Sequence, residues 1–144
     1  MSIGYEWRGR FANDEVNVLH AEAFNTRVFS STEWNWVELT TQHSLGWVTA
    51  REGVNLVGFV NVLWDGSVHA WLQDTMVSRL HRHSGVGSKL VGVAVDGVRS
   101  AGCEWLHVDF EDGLERFYID SCGFTATRAG LMSLSQPTGR PHQV

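Results

Sequence analysis

Val77-Ser-Arg-Leu-His-Arg-His-Ser-Gly-Val-Gly-Ser88 decides how this chain is read. The residues before it, 71–77, have the apolar and β-branched composition of a strand. From Val86 onward, Val86, Leu90, Val93, Ala94 and Val98 recur at steps of three and four, the spacing of one helix face. A basic polar loop therefore joins a strand to a helix and closes on Gly85-Val-Gly87. Glycine lets a backbone approach a ligand without a Cβ in the way. A helix start offers unpaired N–H groups at the positive end of its dipole. The combination is an anion site, most often for phosphate, and Arg82 and His83 add side-chain donors around it.

The bulk properties set the context for that loop. The chain has 144 residues, enough for one domain with a substantial core, and 43% are hydrophobic against 19% charged. Its formal net charge is −5, without the basic excess of a nucleic-acid-binding surface. No apolar run approaches the ~20 residues of a membrane span. Met1-Ser2-Ile3-Gly4 lacks the charged and apolar segments that open a signal peptide, so the expectation is a cytoplasmic protein. Two cysteines, Cys103 and Cys122, are too few for a disulfide framework and are expected to be reduced structural thiols. Nothing in the charge pattern calls for a nucleic-acid or membrane partner, and a homodimer is left open.

Outward from the loop, the pattern predicts strands over 3–8, 47–51, 56–64, 68–77 and 105–110, with last strands within 124–134. It predicts helices over 13–24, from a cap at Ser31 or Thr32 to about residue 43, over 86–100, and over 113–121. Asp65-Gly66 is a hairpin signal. The expected fold class is α/β (α+β): a mixed, mostly antiparallel sheet of six to seven strands with helices on both faces. Residues 1–135 read as a single domain, and 136–144, with both prolines of the chain, as a flexible tail.

That order, with a glycine loop after the fourth strand, resembles the GNAT superfamily of acyl-CoA-dependent N-acetyltransferases. The family pattern Val-x-Pro-x-(aromatic or His)-(Arg/Gln)-x-x-Gly-x-(Gly/Ala) is met by Val77, His81, Arg82, Gly85 and Gly87, with Arg79 in place of the proline. A second family pattern, an aromatic-Tyr pair followed shortly by Gly-Phe, is met by Phe117-Tyr118 and Gly123-Phe124. Glu111 stands where the family often carries an asparagine. The resemblance runs from about residue 3 to residue 134. It implies that the fourth and fifth strands splay apart and take the pantetheine arm of acetyl-CoA against the backbone of Met76 and Val77. It places the pyrophosphate on the N–H groups of Arg82, His83, Ser84, Gly85, Val86, Gly87 and Ser88, with Gly87 and Gly92 letting the next helix pack close.

The resemblance also assigns chemistry to single residues. Tyr118 would stand near the CoA sulfur and protonate the leaving thiolate; the ordinary alternative is an aromatic half in the core. Asp74 lies where many relatives carry an acid and would be the general base, against a plain hydrogen-bonded carboxylate. Some relatives place a glutamate one position earlier, where this chain has Gln73, which takes no proton. Simple alternation puts Asp74 with Leu72 and Met76, and a bulge in the strand would change that parity. Glu22 and Glu33 are outside candidates for the base. Trp34 and Trp36 fall in the region that walls the acceptor pocket in the family, although most tryptophans are core. His81 and His83 flanked by Arg79 and Arg82 suit phosphate better than a metal, and no metal is expected.

The leading functional reading is acetyl transfer from acetyl-CoA to a primary amine. A non-catalytic acyl-CoA-binding or sensing module of the same fold is the alternative that Gln73 leaves open. A dinucleotide oxidoreductase reading uses Gly85-Val-Gly87 with Asp109 as a ribose-binding acid. Leu90 at the third glycine position and the long loop over 78–84 argue against it.

Overall fold

The computed structural model describes residues 2–135; the predicted tail, 136–144, lies outside them. Five strands form one sheet in the order β1-β2-β3-β4-β5. They are β1 (Gly4–Trp7), β2 (Ser44–Glu52), β3 (Asn55–Trp64), β4 (His69–Val77) and β5 (Trp105–Val108), with helices α1 (Asn13–Phe24), α2 (Trp36–His43) and α3 (Val86–Ser100). The first four strands pair antiparallel and β4 pairs parallel with β5. Among the described residues no helix is long and apolar enough to cross a membrane.

Each face of the sheet has its own core. Val48, Ala50, Val60, Val62, Ala70 and Leu72 pack with Val86, Leu90, Val91, Ala94 and Val98 of α3. Phe59 and Met76 pack on the other face with Val16 and Leu19 of α1 and Trp36 of α2. The close approach of α3 depends on Gly58 of β3, where a Cβ would lie 2.8 Å from Leu90 Cδ1. Gly92, expected to serve that purpose, faces open space. The Trp7 ring fills the gap at the edge of the sheet, and a Cβ on Gly97 of α3 would meet it at 2.6 Å.

The helix pair α1–α2 is held by two asparagines one turn apart. Asn13 accepts the Trp36 N–H at 2.5 Å and donates to the Trp34 carbonyl at 3.1 Å. Asn17 donates to the same carbonyl and accepts Trp36 Nε1–H at 2.9 Å. These bonds fix residues 34–36 as the entry to α2, so its cap is Asn35, whose side chain accepts Glu38 N–H at 3.0 Å, and not Ser31 or Thr32.

Three further sequence expectations change. The sheet has five strands among the described residues instead of six to seven, because 124–134 forms no strand. That stretch, Phe-Thr-Ala-Thr-Arg-Ala-Gly-Leu-Met-Ser-Leu, lacks a sustained apolar alternation, and β5 offers it a short edge of four residues. The strand expected to be buried over 105–110 stops at Val108 and is an edge, with Trp105 and His107 exposed. The helix expected over 113–121 is a shorter π-helical turn, Arg116–Ser121.

Candidate active site

The pairing of β4 shows where a site can open. Its partner β5 runs beside it from His69↔Trp105 to Leu72↔Val108 and then stops. From Gln73 to Val77 the β5-facing edge of β4 has no strand beside it. On its other edge β4 carries a bulge. Phe59 pairs with Met76 and Asn61 with Gln73, so one β3 residue, Val60, opposes two, Asp74 and Thr75. Asp74 takes the left-handed conformation at φ 59°, which Asp tolerates better than most residues. The extra residue switches the strand's faces: Leu72 packs on the α3 side and Met76 on the α1–α2 side. Simple alternation would have left both on one side.

The bulge points polar groups into a small cleft lined by Leu72, Gln73, Asp74, Thr75, Val108, Asp109, Leu114, Tyr118 and Phe24. Asp74 is 8% exposed, and burial pushes its carboxyl up to about 7 against some opposition from the Asn61 amide. Asp74 Oδ1 and Asn61 Nδ2 both lack a hydrogen bond of regular geometry. The other end of that amide is occupied, since Asn61 Oδ1 accepts from Ser44 Oγ at 2.5 Å. A carboxyl so placed is an acid–base group poised near neutrality.

Tyr118 comes to the same cleft from the π-helical turn. Its ring stacks on Phe110 at 5.0 Å and meets Phe117 edge-on at 4.8 Å. Its hydroxyl bonds with Thr75 Oγ1 at 3.2 Å, next to Asp74. Burial raises its pKa, so the phenol keeps its proton at neutral pH. Asp74 and Tyr118, predicted separately, therefore line one cavity. The outside candidates for a base do not reach it. Glu33 is held ionised near 2 by Arg27 and the Ser30 N–H, and Glu22 accepts the Arg79 N–H at 2.9 Å.

The glycine loop lies at the far end of β4. Arg79–His81 winds into a 3₁₀ turn, then His83 at φ 61° and Gly85 at φ 89° turn the chain into α3. The first backbone bond of α3 runs from Lys89 N–H to Gly85 C=O at 3.2 Å. The N–H groups of Val86, Gly87 and Ser88 precede it and converge at the helix start. A Cβ on Gly87 would press on the Phe117 ring at 2.9 Å, so this glycine ties the loop to the turn that carries Tyr118. Ser84 Oγ donates to His81 C=O, and Ser88 Oγ to Gly85 C=O at 3.5 Å. Arg82 differs from expectation: its guanidinium folds back onto the Val77 and Ala23 carbonyls, at 3.4 and 3.3 Å, and so braces the loop against α1.

The sequence model of the acetyltransferase (GNAT) family matches residues 10–124, which span the cleft, the bulge and the glycine loop. The chain belongs to this family. No curated protein matches its sequence significantly. Similar solved structures include a GNAT family acetyltransferase of Streptococcus pneumoniae, at TM-score 0.73 and 18% identity over 94% of this chain and all of that one. The enzyme AAC(6')-Iy, bound to the bisubstrate analogue CoA-S-monomethyl-acetylneamine, matches at TM-score 0.74 and 13% identity over 95% of this chain and 100% of that one. Glucosamine-6-phosphate N-acetyltransferase of Arabidopsis thaliana matches at 0.71 and 16% identity over 92% and 99%. At these identities the likeness is one of fold.

Within this GNAT chain two expected acceptor residues separate. Trp36 is fully buried, with its indole N–H on Asn17, and supports the wall from behind; it offers no surface to a substrate. Trp34 is half-buried and lines a shallow groove with Thr32, Glu38 and His43. Both cysteines are free thiols whose pKa is raised, Cys122 to about 11 by burial, so they keep their protons at neutral pH. Among the described residues no cluster of three or more metal-ligating side chains occurs. Asn61 and Thr75 are the site residues that sequence reasoning missed. Asn61 left a signal, the one polar side chain in Leu-Val-Gly-Phe-Val-Asn-Val-Leu-Trp. Thr75 left none, because its role follows from the bulge.

Proposed function

We propose that the protein moves an acetyl group from acetyl-CoA to a primary amine by direct attack within a ternary complex. One observation carries this reading: the bulge sets a buried carboxyl with a pKa of about 7 and a protonated phenol on the same cleft, where β4 loses its β5 neighbour. The chain fits the cosubstrate. Past Leu72 no strand lies beside the β5-facing edge of β4, which leaves room along Met76 and Val77 for an amide-bearing arm. Val86, Gly87 and Ser88 present N–H groups to a pyrophosphate, supported by the left-handed turns at His83 and Gly85. Acetyl-CoA supplies the acetyl group as an activated thioester.

Asp74, once ionised, takes a proton from the incoming ammonium and leaves a neutral amine able to attack. The cleft holds amine and acyl carbon side by side, which removes the entropic cost of their encounter. A nitrogen–carbon bond forms and the carbon–sulfur bond breaks. The Tyr118 hydroxyl, oriented by Thr75, gives its proton to the departing sulfur, and the proton that the acylated nitrogen sheds as it becomes an amide restores the phenol. The reaction needs no metal, and a cytoplasmic setting agrees with its substrates.

Calorimetric titration tests the cosubstrate: acetyl-CoA or CoA should bind and raise the melting temperature, since a ligand of the native state stabilises it, and NAD should do neither. Binding of NAD without CoA would overturn the reading. Thiol release that depends on an added amine then separates an enzyme from an acyl-CoA sensor.

A further inference from the structure

One face of the β4–β5 pair carries rings that neither core nor the acetyl-transfer chemistry uses. Ala70 and Leu72 of β4, with Leu106 and Val108 of β5, pack toward α3. Their neighbours therefore turn to the opposite face. Register places His69 beside Trp105 and Trp71 beside His107. The Trp71 and His107 rings stack at 5.0 Å with 16° between their planes. His69 closes the group, its ring 5.0 Å from His107 and its Nδ1 2.8 Å from His107 Nε2. That imidazole–imidazole hydrogen bond holds both rings in place. Trp105 is 63% exposed beside them, and His107 is exposed as well.

The platform leads into the reaction cleft. Two residues on from Trp71 and His107 stand Gln73 of β4 and Asp109, just past the end of β5, and both line the cleft with Asp74. Two residues of strand cover about 7 Å, so the ring layer lies that far from the Gln73–Asp109 layer. No lysine or arginine lines the cleft, while two carboxylates do. One of them, Asp74, is more than nine-tenths buried with an unpartnered oxygen. The geometry points to an acceptor whose amine is carried two or three bonds from a flat ring. The ring packs against the stacked Trp71–His107 pair, and the ammonium reaches Asp109 and then Asp74. Trp71 and His107 are specificity-determining residues in this arrangement. The inference rests on the acetyl-transfer reading and names the substrate class of the same site.

The test compares 2-phenylethylamine and tryptamine with n-hexylamine as acceptors, with acetyl-CoA saturating and thiol release as the readout. The wild type should show a KM about tenfold lower for the ring-bearing amines. Trp71→Leu keeps an apolar residue on the strand, and His107→Ala changes an exposed one. Each should raise KM for the ring-bearing amines about tenfold, leave KM for n-hexylamine within twofold, and leave kcat and CoA affinity by calorimetry unchanged. Equal KM values for flat and straight-chain amines in the wild type, with CoA bound, would overturn the inference and leave acetyl transfer standing. So would variants that shift every amine alike. A protein that binds no CoA would overturn the acetyl-transfer reading and the inference with it.

Discussion

Replacing Asp74 by Asn should stabilise the protein while disabling it. The two side chains have the same shape, and Asn tolerates φ 59° as well as Asp does. What changes is a buried charge. The folded-state pKa of about 7 lies above the ordinary value of 3.8, chiefly because burial penalises the carboxylate. Between those two pH values the folded protein holds a proton that the unfolded chain releases. Wild-type stability therefore falls as pH rises through that window and levels off above it. At about 1.4 kcal/mol per pH unit, the full difference is about 4 kcal/mol. The Asn variant has no such loss. It should exceed the wild type by roughly 1–2 kcal/mol at pH 5 and about 4 kcal/mol at pH 8. The second figure corresponds to about 10 °C in melting temperature for a chain of this size. Urea titrations of both proteins at the two pH values measure the difference directly, and every other titrating group cancels. A variant no more stable at pH 8, or a gap equal at both pH values, would show that Asp74 is not held as a buried, poised acid.

Other substitutions read other parts of the structure. Tyr118→Phe keeps the ring against Phe110 and removes the hydroxyl, so calorimetry should show unchanged acetyl-CoA binding while kcat falls by ~10²–10⁴. Burial lowers the pKa of His20 to about 4 from 6.5, so the folded protein refuses a proton that the unfolded chain accepts. Stability should be full above pH 6.5 and decline toward pH 4, and His20→Gln should flatten that decline in acid melts. Gly97→Ala drives a methyl into the Trp7 ring, so chemical denaturation should show a loss of about 1–3 kcal/mol, recovered in part when Trp7 is also replaced by Leu.

The fold was legible wherever local pattern and tertiary demand agreed. The bounds of α3 followed from its apolar stripe and the glycine before it, and α1 from its own spacing. The start of α2 was not legible, because Ser31, Thr32 and Asn35 are all able to cap and the choice is made by Asn13 and Asn17 from another helix. The bulge at Asp74 and Thr75 was hidden for a similar reason. Nothing in Gln-Asp-Thr-Met marks an extra residue; it is defined by the pairing of Phe59 and Asn61 across the sheet. Tyr118 and Asp74 were nameable from their motifs, but their meeting on one cleft needed the bulge and the end of the β5 pairing. Trp36 shows the converse error: an aromatic near a site in sequence is fully buried behind it.

The pH dependence of amine-driven thiol release from acetyl-CoA tests the central claim most directly. Since Asp74 must lose its proton to act, kcat/KM should rise with pH through about 7 and then level. Asp74→Asn should lose that limb, with activity returning in part at higher pH where the amine deprotonates unaided. A release rate independent of added amine, or a limb near pH 7 that survives in Asp74→Asn, would contradict it.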